Sequence, residues 1–146
     1  MKDCCAFLSK VGPDGSQLLY STFLGSNSGA GSLSAMVFEM DPNGNIWLSG
    51  STTDSQLPML NPLQSVHPAS GNTGYVSEFD STGTTLKFST FFGGGSPGVN
   101  GIALDSIRKA HIAGTTVTGT YTTPGAFQGT VTSPPQFVQY TYPPPI

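Results

Sequence analysis

The sequence predicts an all-β protein made of tandem four-stranded antiparallel sheets. Three observations carry this expectation. Of 146 residues, 19 are glycine and 12 proline, and both interrupt helices. The apolar residues, 36% of the chain with aromatics at 10%, fall in short alternating runs bounded by turn residues, the pattern of strands. Those runs then recur along the chain at a near-constant spacing, the signature of a repeat architecture.

Composition also excludes function classes. Only 9% of residues are charged, against roughly 25% in ordinary soluble proteins. Five Lys+Arg against eight Asp+Glu, net −3, leave no basic stripe, so no nucleic-acid partner is expected. No apolar run reaches the length of a membrane-spanning helix, so no membrane insertion is expected. Met1 to Cys5 holds no signal-peptide core. The chain therefore reads as cytoplasmic, or as a mature or excised piece of something longer.

The repeat is visible residue by residue. Tyr20-Ser21-Thr22-Phe23-Leu24-Gly25 returns as Phe88-Ser89-Thr90-Phe91-Phe92-Gly93, 68 residues on. Phe7-Leu8-Ser9-Lys10-Val11 matches Tyr75-Val76-Ser77-Glu78-Phe79 at the same offset. Further along, the offset is 64: Val37 to Asp41 aligns with Gly101 to Asp105, and Ile46 to Thr52 with Ala110 to Thr116. Pro62-Leu63-Gln64 has its counterpart in Ala126-Phe127-Gln128. A length change in the glycine-rich loop after Gly25 or Gly93 explains the difference, and loops absorb such changes at small cost.

In chain order, runs near 6–11 and 17–24 flank the Asp14-Gly15 turn and form a first partial unit, 5–25. A complete unit, 35–92, holds runs over 35–40, 45–51, 75–80 and 85–91. Its tight turns are Asp41-Pro42-Asn43-Gly44-Asn45 and Thr82-Gly83, where proline presets φ and glycine accepts a positive one. A second partial unit, 99–142, holds runs near 101–105 and 110–116 and a third near 136–142, before the proline-rich tail 143–146. Four antiparallel strands per tandem unit is the pattern of a β-propeller blade. The residues Phe7, Leu19, Phe23, Val37, Trp47, Phe79, Phe88, Phe91, Leu104 and Ile112 are expected in the core.

The strings Ala6 to Val11, Leu19 to Gly25, Asp41 to Thr52 and Thr123-Pro124-Gly125-Ala126-Phe127-Gln128 resemble the bacterial SBBP-type β-propeller repeat, and about two repeats cover nearly the whole chain. The resemblance implies a propeller-type fold of large secreted or surface proteins, so an extracellular or cell-surface location is expected. It implies no catalytic residues. The chain departs from the repeat at Ser106-Ile107-Arg108-Lys109, where a glycine-containing turn is usual, and it holds too few units to close a ring.

This shortage carries the functional expectation. One end lacks inner strands and the other lacks outer ones, which leaves sheet edges exposed. Three outcomes compete: a fragment of a larger surface propeller protein, a ring of several chains, or an open head-to-tail filament. The leading reading is a non-enzymatic assembly protein whose partners are other copies of itself, joined by strand complementation. Its expected assembly edge comprises Ala6, Phe7, Leu8, Val11, Leu19, Tyr20 and Phe23 at one end and Phe137, Val138 and Tyr140 at the other. Cys4 and Cys5 stand beside the junction as candidates for an intermolecular disulfide.

The chemical candidates give way to simpler readings. His67 lies in a proline-rich loop and is expected in solvent, and His111 occupies a strand position. Neither has ligands at metal spacing, so no metal or cofactor is expected. Asp41, Asn43 and Asn45 imitate a calcium loop, but position twelve is Thr52, so the segment is a turn. Gly94-Gly95-Ser96-Pro97-Gly98 lacks the following helix of a nucleophile elbow. A second class, a glycan- or protein-binding module, would use Trp47, Tyr75 or Tyr121 as aromatic platforms.

Overall fold

The computed structural model describes residues 5–26, 31–68, 71–93, 98–116 and 122–130. Among them are eight strands and no helix: β1 (Ala6–Val11), β2 (Leu18–Leu24), β3 (Leu33–Met40), β4 (Ile46–Thr52), β5 (Thr73–Phe79), β6 (Leu86–Phe92), β7 (Gly98–Leu104) and β8 (Ala110–Thr115). They form three antiparallel sheets, ordered β1-β2, β3-β4-β5-β6 and β7-β8, and none closes into a barrel. The protein is all-β and open.

The two hairpins cover opposite faces of the central sheet, because successive side chains of a strand point to opposite sides. On one face Leu48, Tyr75, Phe79 and Phe91 pack with Ala6 and Leu24 of the first hairpin. On the other, Val76 packs with Val99 and Ile102 of the last hairpin, ringed by Val37, Trp47, Phe88, Phe92 and Ile112. Trp47 and Phe88 meet at 6.0 Å with their rings tilted.

Matching segments adopt matching irregularities. The registers of β3-β4 and β7-β8 shift between Ala35 and Val37 and between Val99 and Gly101, positions 64 apart. Those of β1-β2 and β5-β6 shift between Lys10 and Val11 and between Glu78 and Phe79, 68 apart. At the first pair of shifts the opposite strand comes so close that a side chain does not fit: a Cβ on Gly50 would collide with the Ser34 carbonyl, and one on Gly114 with the Gly98 carbonyl.

The four tight turns sit together at one end. Each is held by an aspartate whose carboxylate accepts backbone N–H groups, the local bonding that makes aspartate a turn former. Asp41 accepts from Asn43 N–H at 2.8 Å and Asn45 N–H at 2.9 Å. Asp80 accepts from Thr84 and Thr85 N–H, Asp105 from Ile107 and Lys109 N–H, and Asp14 from Ser16 N–H. Burial works against the Asp41 charge, but its bonds to Asn45 and Asn43 and the nearby Arg108 outweigh this and hold its pKa below the ordinary value. For Asp105 the Lys109 N–H bond is the main cause of the same downward shift, and for Asp80 the Thr82 hydroxyl. Arg108 takes φ +65° where Gly44 takes +81°, so the departing turn keeps the glycine conformation without the glycine.

The expected core needs correction. Phe79 and Phe91 are buried, Val37, Trp47, Phe88, Leu104 and Ile112 are half-buried, and Phe7, Leu19 and Phe23 are exposed. The apolar alternation of the first hairpin has two faces, and the face turned to the central sheet is that of Ala6, Leu8 and Leu24. Tyr75, Val76 and Val99, absent from the expected set, are fully enclosed. The run expected at 136–142 lies outside the described residues.

Candidate assembly surface

The first hairpin turns an uncharged face to solvent. Phe7 is 68% and Phe23 79% exposed, and at the next cross-strand pair on this face the Ser9 and Ser21 hydroxyls bond each other at 2.7 Å. The central sheet repeats this face at Tyr75, Phe91, Ser77 and Ser89, where the hydroxyls of Ser77 and Ser89 bond at 2.9 Å and all four residues are 0% exposed. Matching side chains in the same register, with Phe7 in place of Tyr75, are thus enclosed in one sheet and largely open in the other. The Tyr75 hydroxyl is enclosed with no hydrogen-bond partner, and burial raises its pKa.

Two sheet edges stand open, one on each hairpin. Among the described residues β1 pairs only with β2, and β8 only with β7. In the central sheet their counterparts β5 and β4 pair with each other, Ile46 opposite Phe79 through Thr52 opposite Thr73. Beside β1 runs a groove of about 470 Å³, lined by Phe7, Leu8, Lys10, Val11 and Tyr20 on one side and by Phe38, Met40, Ile46 and Leu48 on the other. Phe38 and Met40 are exposed there. Tyr20 lies against Gly83, and burial, then the Asp80 charge, raises its pKa. The last hairpin turns Ala103, His111 and Ala113 outward, all exposed.

The outer edge of the central sheet, by contrast, is closed. The loop after β4 returns along β6: Leu60 and Ser89 exchange N–H···O bonds at 3.2 and 3.0 Å. Gln64 then clamps the strand. Its N–H donates to Thr90 Oγ1 at 2.9 Å, its carbonyl accepts from Phe91 N–H at 3.1 Å, and its side chain both donates to the Gly93 carbonyl and accepts Gly93 N–H, each at 3.1 Å. Sequence reasoning aligned Gln64 with Gln128 but assigned neither a role. The signal available was an amide side chain kept at one position of both copies.

Of the expected edge residues, Ala6 is buried, Leu8 and Tyr20 are half-buried, and Phe7, Val11, Leu19 and Phe23 are exposed. Phe137, Val138, Tyr140 and Cys4 lie outside the described residues. Cys5 is disulfide-bonded. His67, expected in solvent, packs edge-on against Phe91 at 5.2 Å, and its ring nitrogens meet the carbonyls of Pro68 and Thr52 at 2.6 and 3.2 Å. His111 stands 3.6 Å from Asp105. No cluster of three or more potential metal ligands occurs among the described residues. Tyr75 is enclosed and cannot serve as a glycan platform, and Tyr121 is outside the described residues. No helix among them is long and apolar enough to cross a membrane.

Comparison of the chain with protein-family models, with curated proteins and with solved structures yields no significant match.

Proposed function

We propose that the protein is a structural, non-catalytic subunit that joins further copies of itself head to tail by strand complementation, as a propeller-type repeat shared between chains. In this reading the β8 edge of one copy pairs with the β1 edge of the next. The junction repeats the β4-β5 pairing, which sets His111 opposite Lys10 and Ala113 opposite Leu8. The observation that carries it is the bare face of Phe7, Ser9, Ser21 and Phe23, whose twin in the central sheet is enclosed. Such an edge, left open, invites pairing with another chain.

The junction also fills the groove. The small Ala103 and Ala113 side chains of the incoming hairpin meet Phe38 and Met40, while Lys10 comes beside the Asp105–His111 pair. An extracellular setting rests on the resemblance of the repeat to those of secreted and surface proteins, and the product is a filament or a ring.

Analytical ultracentrifugation and electron microscopy of the full chain test this. An ordered filament or ring is expected, and deletion of residues 1–24 should abolish ordered assembly. A chain that stays monomeric at high concentration, or a deletion that assembles like the full chain, overturns the proposal.

A further inference from the structure

We infer that residues 122–130 of one copy strap the outer edge of β2 on the next copy, with Gln128 taking there the part that Gln64 takes on β6. The inference rests on the head-to-tail reading above and adds a contact which that reading does not require.

The segment is already shaped for the task. Asn61 and Gly125, 64 residues apart, share the left-handed region at φ +50° and +80°. The Gln64 side chain donates to the Val66 carbonyl at 3.1 Å, and the Gln128 side chain donates to the Thr130 carbonyl at 3.1 Å. The two segments therefore share a left-handed residue and a glutamine side-chain bond at matching positions. Yet 58–66 lies along a strand, whereas every residue of 122–130 is exposed, and Phe127 is wholly so. A segment that holds its partner's conformation without a partner has met part of the ordering cost in advance.

The receiving edge is equally matched. β2 pairs on one side only, and Ser21, Thr22, Phe23 and Gly25 stand where Ser89, Thr90, Phe91 and Gly93 meet the clamp. Thr22 Oγ1 donates to the Phe23 carbonyl as Thr90 Oγ1 donates to that of Phe91. By transfer, Gln128 N–H donates to Thr22 Oγ1, its carbonyl accepts from Phe23 N–H, and its amide bonds the main chain of Gly25 in both directions. One bond does not transfer: Pro124 stands where Leu60 donates its N–H. The strap is continuous with the strand junction, since it follows β8 in the chain at the interval by which 58–66 follows β4. One neighbouring copy thus supplies both.

The test compares Gln128→Ala, Thr22→Val and the double variant of the full chain with the parent, reading the midpoint concentration of assembly by light scattering. Gln128→Ala should raise that midpoint about tenfold or more, from the loss of two or more hydrogen bonds, with the thermal midpoint of the dilute chain unchanged. Gln64→Ala should instead lower that thermal midpoint. Thr22→Val, which removes the acceptor of the Gln128 N–H and none of the side-chain bonds to Gly25, should raise the midpoint by less, and the double variant should assemble worse than either single one. Parent-like assembly of Gln128→Ala overturns the strap and leaves strand pairing intact. Absence of assembly by the parent overturns both.

Discussion

Phe23 stands bare on the first hairpin at the position that Phe91, 68 residues later, occupies with no exposure at all. Side-chain type, strand position and register are shared, and only the covering layer differs. Truncation therefore separates folding from association. Phe91→Ala should destabilise the chain by about 3–5 kcal/mol, the cost of a core cavity. Phe23→Ala should change the stability of the dilute chain by less than about 0.5 kcal/mol, as surface changes do, yet abolish assembly. Chemical denaturation and light scattering on both variants read the two effects.

Tyr75 carries an enclosed hydroxyl without a partner, and the repeat places Phe7 at the equivalent position. An unsatisfied buried hydroxyl costs about 1–3 kcal/mol. Tyr75→Phe should leave the packing as it is and raise stability by about 1 kcal/mol in denaturant unfolding. A loss of stability would mean that the hydroxyl is hydrogen-bonded.

Arg108 holds the left-handed conformation that Gly44 holds in the equivalent turn. A side chain there costs roughly 1–2 kcal/mol, offset in part by the attraction of Arg108 for Asp41. Arg108→Gly should raise the thermal midpoint, corresponding to about 0.5–1 kcal/mol. Arg108→Ala, which loses the charge and keeps the strain, should lower it.

Acid should unfold the protein through its turns. The Asp14, Asp41, Asp54, Asp80 and Asp105 carboxyls all titrate below their ordinary value. A depressed carboxyl stabilises the fold above its unfolded pKa, near 3.9. That contribution is lost as pH falls through the folded value. Thermal midpoints should hardly change between about pH 5 and 7 and fall below about pH 4. Asp41→Asn should show a shallower fall.

The strands were legible because each hairpin is a local alternating pattern closed by a turn with its own chemistry. The added lengths were not: β3 starts at Leu33 and β5 at Thr73, which are held by contacts distant in sequence, Leu33 in the core and the Thr73 hydroxyl on the Gly93 carbonyl. Burial was legible only in part. Phe7 and Phe23 carry the apolar pattern of a core face, and nothing in the alternation of one chain tells which face its own residues cover. The Gln64 clamp left no periodic trace because it lies in a loop. Its bonds reach from residue 64 to residue 93 across a distance in sequence that propensity does not see. His67 was misread for the same reason, as the Phe91 ring that shelters it belongs to another strand.

The gathering of all four aspartate-held turns at one end gives the molecule two unlike poles. At the turn pole, Gly44 lies against Ser81 and Gly83 against Tyr20, so those two turns leave no room for added side chains. At the opposite pole run the long connections, where extra length is tolerated. A peptide grafted at Ser55 and Gln56, in the short turn after Asp54 between β4 and the clamp, would leave the four hairpin turns untouched. Copies joined by strand pairing keep their poles aligned, so the graft would recur once per subunit along a single side. The fold would then present a foreign sequence as a regular one-sided array, with the spacing set by the subunit and not by the graft.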